Sequence, residues 1–137
     1  MIRAIVTDDS PATRRILISI LKRISIEIVA EADNADQAVA ACLEHTPDLM
    51  FLDVVMPGET GVDVLRRMRA QESGIGVIMV TSVSDRDIVE CCREQGAIGY
   101  ILKPFRHTRI VADVTRLCVE RGLLVPPPTS GEDPTDA

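Results

Sequence analysis

The chain has 137 residues, 46% of them hydrophobic, which suits a single domain with one sizeable core. Its formal net charge is −6, with 21 acidic against 15 basic residues and no run of Lys or Arg. That balance argues against a nucleic-acid or anionic-membrane surface and for protein partners. No apolar stretch approaches the roughly 20 residues of a membrane helix, and Met1-Ile2-Arg3-Ala4-Ile5-Val6 is too short for a signal-peptide apolar region, so the expected compartment is the cytoplasm.

Short apolar runs alternate with amphipathic stretches about five times, the rhythm of parallel strands joined by crossover helices. Ile2 to Thr7 reads as the first strand. Ser10-Pro11 then supplies an N-cap and a first-turn proline, followed by Ile16, Leu17, Ile20, Leu21 and Ile24 on one helical face. Ile26, Ile28 and Ala30 alternate as a second strand, and Asn34 caps a helix whose apolar side is Ala35, Ala38, Val39 and Cys42. Leu49 to Leu52, apolar on both faces, suits a central strand covered by helices on each side. A loop with Pro57, Gly58 and Gly61 leads to a helix near Val62 to Arg69 and a fourth strand, Val77 to Val80. Ser84-Asp85 is the expected cap of the fourth helix, which Gly96 ends. Tyr100 to Leu102 is the fifth strand, and Ile110, Val111, Val114, Leu117 and Cys118 stripe the last helix. From Pro126 the chain reads PPPTSGEDPTDA, with no large apolar residue to bury. The expected organisation is one domain over residues 1–122 and a disordered tail or interdomain linker over 123–137. Cys42, Cys91, Cys92 and Cys118 form no C-x-x-C pair and read as reduced packing residues.

In an open parallel sheet, ligands bind beyond the carboxyl ends of the strands. Here those ends carry one chemical set: Asp8-Asp9 after the first strand, Asp53 after the third, Thr81-Ser82 after the fourth and Lys103-Pro104 after the fifth. Three carboxylates converging on one edge repel one another, and a hard, oxygen-seeking cation neutralises them. Mg2+ fits, because it takes one or two carboxylates and leaves room for phosphate oxygens. A carboxylate can itself be the nucleophile that becomes an aspartyl phosphate, with a lysine and a hydroxyl holding the other phosphoryl oxygens. Lys103 is one of two lysines against thirteen arginines, which suggests a need there for a compact ammonium.

Singly, each piece has a plainer reading: a helix cap for Asp8-Asp9-Ser10, a turn for Asp53 to Pro57, a loop hydroxyl pair for Thr81-Ser82, strand packing for Tyr100. In this order, the pieces Asp8-Asp9-Ser10, Asp53-Val54-Val55-Met56-Pro57-Gly58-Glu59-Thr60-Gly61, Thr81-Ser82 and Tyr100 ahead of Lys103-Pro104-Phe105 resemble the receiver domains of two-component response regulators, over about residues 2 to 122. The resemblance implies a flavodoxin-like, doubly wound α/β fold: a five-stranded parallel sheet of order 2-1-3-4-5 with five helices. It implies Asp53 as phosphoacceptor; Asp8, Asp9, Asp53 and the backbone carbonyl of Val55 as Mg2+ ligands; and Thr81 and Lys103 as phosphoryl contacts. Tyr100 would be the aromatic switch residue that follows Thr81, and the Lys103-Pro104 bond would be cis.

The implied role is that of a regulator rather than an enzyme. Phosphate would come from the phosphohistidine of a histidine kinase or a histidine phosphotransfer protein. The face made by the fourth helix, fifth strand and fifth helix would then meet a downstream target protein or a C-terminal output domain absent from this sequence. No direct contact with nucleic acid or membrane is expected. Val55 and Val83, two residues after the acceptor and the hydroxyl residue, cannot hydrogen-bond an attacking water, so a long-lived phosphorylated state is expected. Two other classes stay open on the sequence: a phosphate-ester hydrolase or phosphotransferase with Asp53 as nucleophile, which would need a cap over the site, and a pseudo-receiver that only binds a partner.

Overall fold

The computed structural model describes residues 1–71 and 73–125, the Ala70 side chain excepted. Ten elements follow in strict alternation: β1 (Ile2–Thr7), α1 (Pro11–Arg23), β2 (Ile26–Ala32), α2 (Ala35–His45), β3 (Leu49–Leu52), α3 (Gly61–Ala70), β4 (Gly76–Thr81), α4 (Arg86–Glu94), β5 (Gly99–Leu102) and α5 (His107–Glu120). All pairings are parallel and the order is β2-β1-β3-β4-β5, so the doubly wound α/β arrangement expected from the sequence is the one observed. In β1, β3, β4 and β5 side chains alternate across the strand and divide the core into two layers. Ala4, Val6, Leu49, Phe51, Ile78, Val80 and Ile101 face α1 and α5. Ile5, Met50, Leu52, Val77 and Met79 face α2, α3 and α4. All four residues of β3 are buried, which places it in the middle of the sheet under cover on both sides.

Local chemistry sets the ends of the elements. The Ser10 hydroxyl accepts from the Thr13 amide, Asn34 caps α2 through Gln37, and Asp85 caps α4 through Asp87 and Ile88. Gly96, at φ +103°, closes α4: its amide donates to the Arg93 carbonyl and the Ala97 amide to the Cys92 carbonyl, the two bonds of a Schellman end.

Two expectations change. Ile16 is not on the packed face of α1: it is 56% exposed, while Leu17, Ile20 and Leu21 are buried. At about 100° per residue Ile16 lies roughly 90° from the centre of the buried stripe, beyond its edge. The alternation of β2 also fails midway. Ala4 pairs with Ile28 but Ile5 pairs with Ala30, so one extra residue, Val29, enters β2. Ile26 and Ile28 pack toward α1 and α5, whereas Ala30 and Ala32 pack toward α2. A bulge shifts the period-two phase by one and moves the rest of the strand to the other face.

Of the stretch assigned to a tail, Leu123 belongs to the packed unit: its amide donates to the Cys118 carbonyl at 2.8 Å and its side chain rests on the α1/α5 layer. Residues 126–137 lie outside the described residues. Cys42, Cys92 and Cys118 are buried free thiols, and burial pushes the Cys42 thiol up to about 11.

Candidate functional site

Parallel strands deliver their carboxyl ends to one edge of the sheet. Asp8 continues β1, and its amide donates to the Ala32 carbonyl at the end of β2. Asp53 continues β3, and its amide donates to the Thr7 carbonyl at 3.1 Å. The two neighbouring strand ends therefore carry their acids side by side. Asp8, Asp9 and Asp53 each offer a carboxylate oxygen within 4.8 Å of the others. Asp8 and Asp53 are buried at 3% and 6% exposure, and Asp9 is exposed.

Lys103 enters from the end of β5. Its Nζ donates to Asp8 Oδ2 at 2.6 Å and to Asp53 Oδ2 at 2.9 Å. Burial opposes the charge on this ammonium, but the hydrogen bonds and charges of the two aspartates outweigh it and hold the group above its ordinary range. The second oxygens are served locally, Asp8 Oδ1 by the Ser10 amide at 2.9 Å and Asp53 Oδ1 by the Val55 amide at 3.2 Å. One ammonium cannot balance three carboxylates. The uncompensated charge, the hard oxygen donors and the open side at Asp9 fit a divalent cation such as Mg2+.

The remaining residues singled out in the sequence take two positions. Thr81, fully buried, ends β4; its Oγ1 accepts from the Val83 amide at 3.3 Å, and its carbonyl takes the Lys103 amide at 2.8 Å. Tyr100 is set apart from the acids: its hydroxyl donates to the Val83 carbonyl at 2.7 Å. Burial, together with the charges of Cys92, Asp53 and Asp85, pushes that phenol up to about 12. The Lys103-Pro104 bond is cis. The Val55 side chain is 58% exposed, while Val83 packs in part on the α2–α4 layer.

Two contributors carried no site assignment from sequence. Gly61 opens α3 directly against the loop after β3: its amide donates to the Val54 carbonyl, and a Cβ there would overlap the Asp53 carbonyl oxygen. Its place at the end of the Asp53–Gly61 run was the available signal. Arg14 reaches the Asp8 backbone carbonyl at 2.6 Å, a contact between α1 and the acid loop that no spacing rule announces.

A 2-1-3-4-5 parallel sheet with three acids and a lysine gathered at its carboxyl edge defines a receiver, a signalling module whose general function is to act as a phosphorylation switch. The chain belongs to the response regulator receiver domain family, whose model matches residues 4–115. It is 37% identical over 112 residues to the DNA-binding response regulator MtrA of Mycolicibacterium smegmatis, covering 82% of this chain and 48% of MtrA. It is 31% identical over 114 residues to the chemotaxis protein CheY of Bacillus subtilis, covering 83% of this chain and 95% of CheY. The receiver domain of the response regulator NarL from Mycobacterium tuberculosis superposes with a TM-score of 0.80 at 32% identity, covering 87% of this chain and 96% of that one. The chain thus spans about half the length of MtrA and nearly all of CheY. No helix among the described residues is long and apolar enough to cross a membrane.

Proposed function

We propose that Asp53 accepts a phosphoryl group from a phosphohistidine of a histidine kinase or histidine phosphotransfer protein, in a Mg2+-dependent step. Asp8, Asp9, Asp53 and the Val55 backbone carbonyl would hold the metal. When bound, Mg2+ supplies the positive charge that offsets the acids and the incoming phosphoryl oxygens. An Asp53 carboxylate oxygen attacks phosphorus; the phosphorus–nitrogen bond breaks, its electron pair passes to the imidazole, and that ring takes up a proton. Lys103 moves its ammonium contacts from the aspartates to a phosphoryl oxygen. Thr81 uses its hydroxyl only as an acceptor toward Val83, so its own proton is available to a second phosphoryl oxygen.

The observation that carries this reading is the Lys103 ammonium held between Asp8 and Asp53, one cation placed where phosphoryl oxygens would need it. The output surface in this reading is the α4–β5–α5 face. There Tyr100, Val89, Leu102, Phe105, Arg106 and Arg109 line a groove of about 690 Å³, and Leu102 is 47% exposed on the edge strand. Its partner would be a target protein or a C-terminal output domain, and the setting the cytoplasm. The test is intact mass after incubation with Mg2+ and a small phosphodonor. Wild type should gain about 80 Da, one phosphoryl group. Asp53→Asn should gain nothing, and a full adduct on that variant would sink the assignment.

A further inference from the structure

We propose that Arg14 is a positioning residue for the cation site, one that fixes where the Asp8 and Asp9 carboxylates stand; the inference rests on the Mg2+ reading above. Its side chain is 16% exposed, and its guanidinium spans two elements. Nε pairs with Glu31 Oε1 on β2 at 2.9 Å, and Nη1 donates to the Asp8 backbone carbonyl at 2.6 Å. That carbonyl belongs to the peptide unit joining Asp8 to Asp9. Holding its oxygen orients the peptide plane, and with it the direction in which the chain carries Asp9 away from the sheet. Buried Asp8 is fixed at three further points: its amide on Ala32, Oδ1 on the Ser10 amide and Oδ2 on Lys103. Asp9 is exposed and takes its position from the backbone that carries it. The Arg14 contact is thus the side-chain restraint on that backbone from α1. A guanidinium suits the task because its donors lie in one rigid fork and can meet a carboxylate and a carbonyl together, whereas an ammonium is a single point.

Charge alone and positioning predict opposite signs. A cation near a metal site repels the metal, so a purely electrostatic Arg14 weakens Mg2+ binding and its removal tightens it. A positioning Arg14 strengthens binding, and its removal scatters the acids. Partners that orient metal ligands from the second layer contribute on the order of tenfold in affinity.

The test is calorimetric titration with MgCl2 at fixed ionic strength on the full chain: wild type, Arg14→Ala, Arg14→Lys, Glu31→Ala and Asp9→Ala. Each metal-free thermal midpoint is measured alongside. Arg14→Ala should bind Mg2+ on the order of tenfold more weakly. Arg14→Lys should fall between it and wild type, and Glu31→Ala, which frees one arm of the fork, should also weaken binding. A merely structural Arg14 would lower the midpoint and leave the affinity of the folded protein unchanged. Unchanged or tighter binding in Arg14→Ala overturns the proposal; if that variant does not fold, wild-type affinity in both Arg14→Lys and Glu31→Ala overturns it instead. Failure of the underlying reading looks different: wild type itself would show no Mg2+ binding, or Asp9→Ala would bind as wild type does.

Discussion

Lys103→Met removes the one ammonium shared by two buried carboxylates. Nζ stands 2.6 Å from Asp8 and 2.9 Å from Asp53, whose side chains are 4% and 8% exposed, so water cannot replace what the acids lose. Breaking a buried pair costs about 3–5 kcal/mol. The Lys103 side chain is itself 20% exposed, which sets the expectation at the lower end, about 3 kcal/mol in metal-free buffer. The same acids are the proposed Mg2+ ligands, so ammonium and metal repel each other across them. Even at the dielectric of bulk water, a +1 and a +2 charge about 6 Å apart repel by about 1.4 kcal/mol, a factor of about ten in affinity. The variant should therefore bind Mg2+ about tenfold more tightly than wild type. By linkage, saturating Mg2+ narrows the stability gap by about 1.4 kcal/mol, to about 1.6 kcal/mol. Urea unfolding followed by circular dichroism, in EDTA and in saturating MgCl2 at equal ionic strength, reads both gaps. A gap of the same size in the two buffers would refute the idea that lysine and metal neutralise the same carboxylates.

Gly61→Ala should destabilise the protein by about 1–3 kcal/mol, because the new Cβ meets the Asp53 backbone, which cannot rotate aside. A wild-type urea midpoint would contradict this. Neither Val55 nor Val83 can orient a water in line with an aspartyl phosphate, so Val55→Asn with Val83→Glu should speed loss of phosphate about tenfold, or about 1.4 kcal/mol of barrier. Single-turnover decay in excess Mg2+, read by intact mass, is the measurement, and equal decay in wild type and double variant would make the valines packing residues only. Val83 rests partly on the core, so Val55→Asn alone is the arm that leaves packing untouched.

The fold was legible because strand ends and apolar periods are local signals: β3 is four apolar residues long in the sequence and buried on both faces in the structure. The acids, the hydroxyl and the lysine were legible for the same reason, since each sits at the end of a strand or within two residues of it. What sequence could not supply were features set by pairing. The extra residue in β2 carries no Gly or Pro to mark it, and once present it reverses which residues face α2. Arg14 and Glu31 are 17 positions apart and meet because β2 lies beside β1, so their ion pair depends on strand order rather than spacing. Apolar periodicity places Ile16 with four other residues near one side of α1, but periodicity does not show which flank of that stripe meets a neighbouring element, and Ile16 stays 56% exposed.

In the proposed reading, one loop residue connects the site to the surface. Val83 is held at both backbone polar groups, its amide by Thr81 Oγ1 at 3.3 Å and its carbonyl by the Tyr100 hydroxyl at 2.7 Å. The first bond lies just past the usual range of about 2.7–3.2 Å and the second at its short end, so the first is the weaker of the two. A phosphoryl group on Asp53 offers the free Thr81 proton a charge-assisted bond about twice as strong as a neutral one, and moving the hydroxyl toward it should carry Oγ1 off the Val83 amide while Tyr100 keeps hold of Val83. The loop would then move with Tyr100, and it runs directly into Asp85, the cap of α4. A single exchanged hydrogen bond is worth about 1 kcal/mol net, whereas carrying a switch from one state almost wholly to the other takes about 5.5 kcal/mol. Phosphorylation alone should thus shift the population only partly, with partner binding at the α4–β5–α5 face supplying the rest. The Val83 amide resonance is the check: it should move on phosphorylation to a position between its free and partner-bound values. An amide that does not move at all would exclude Val83 from the path.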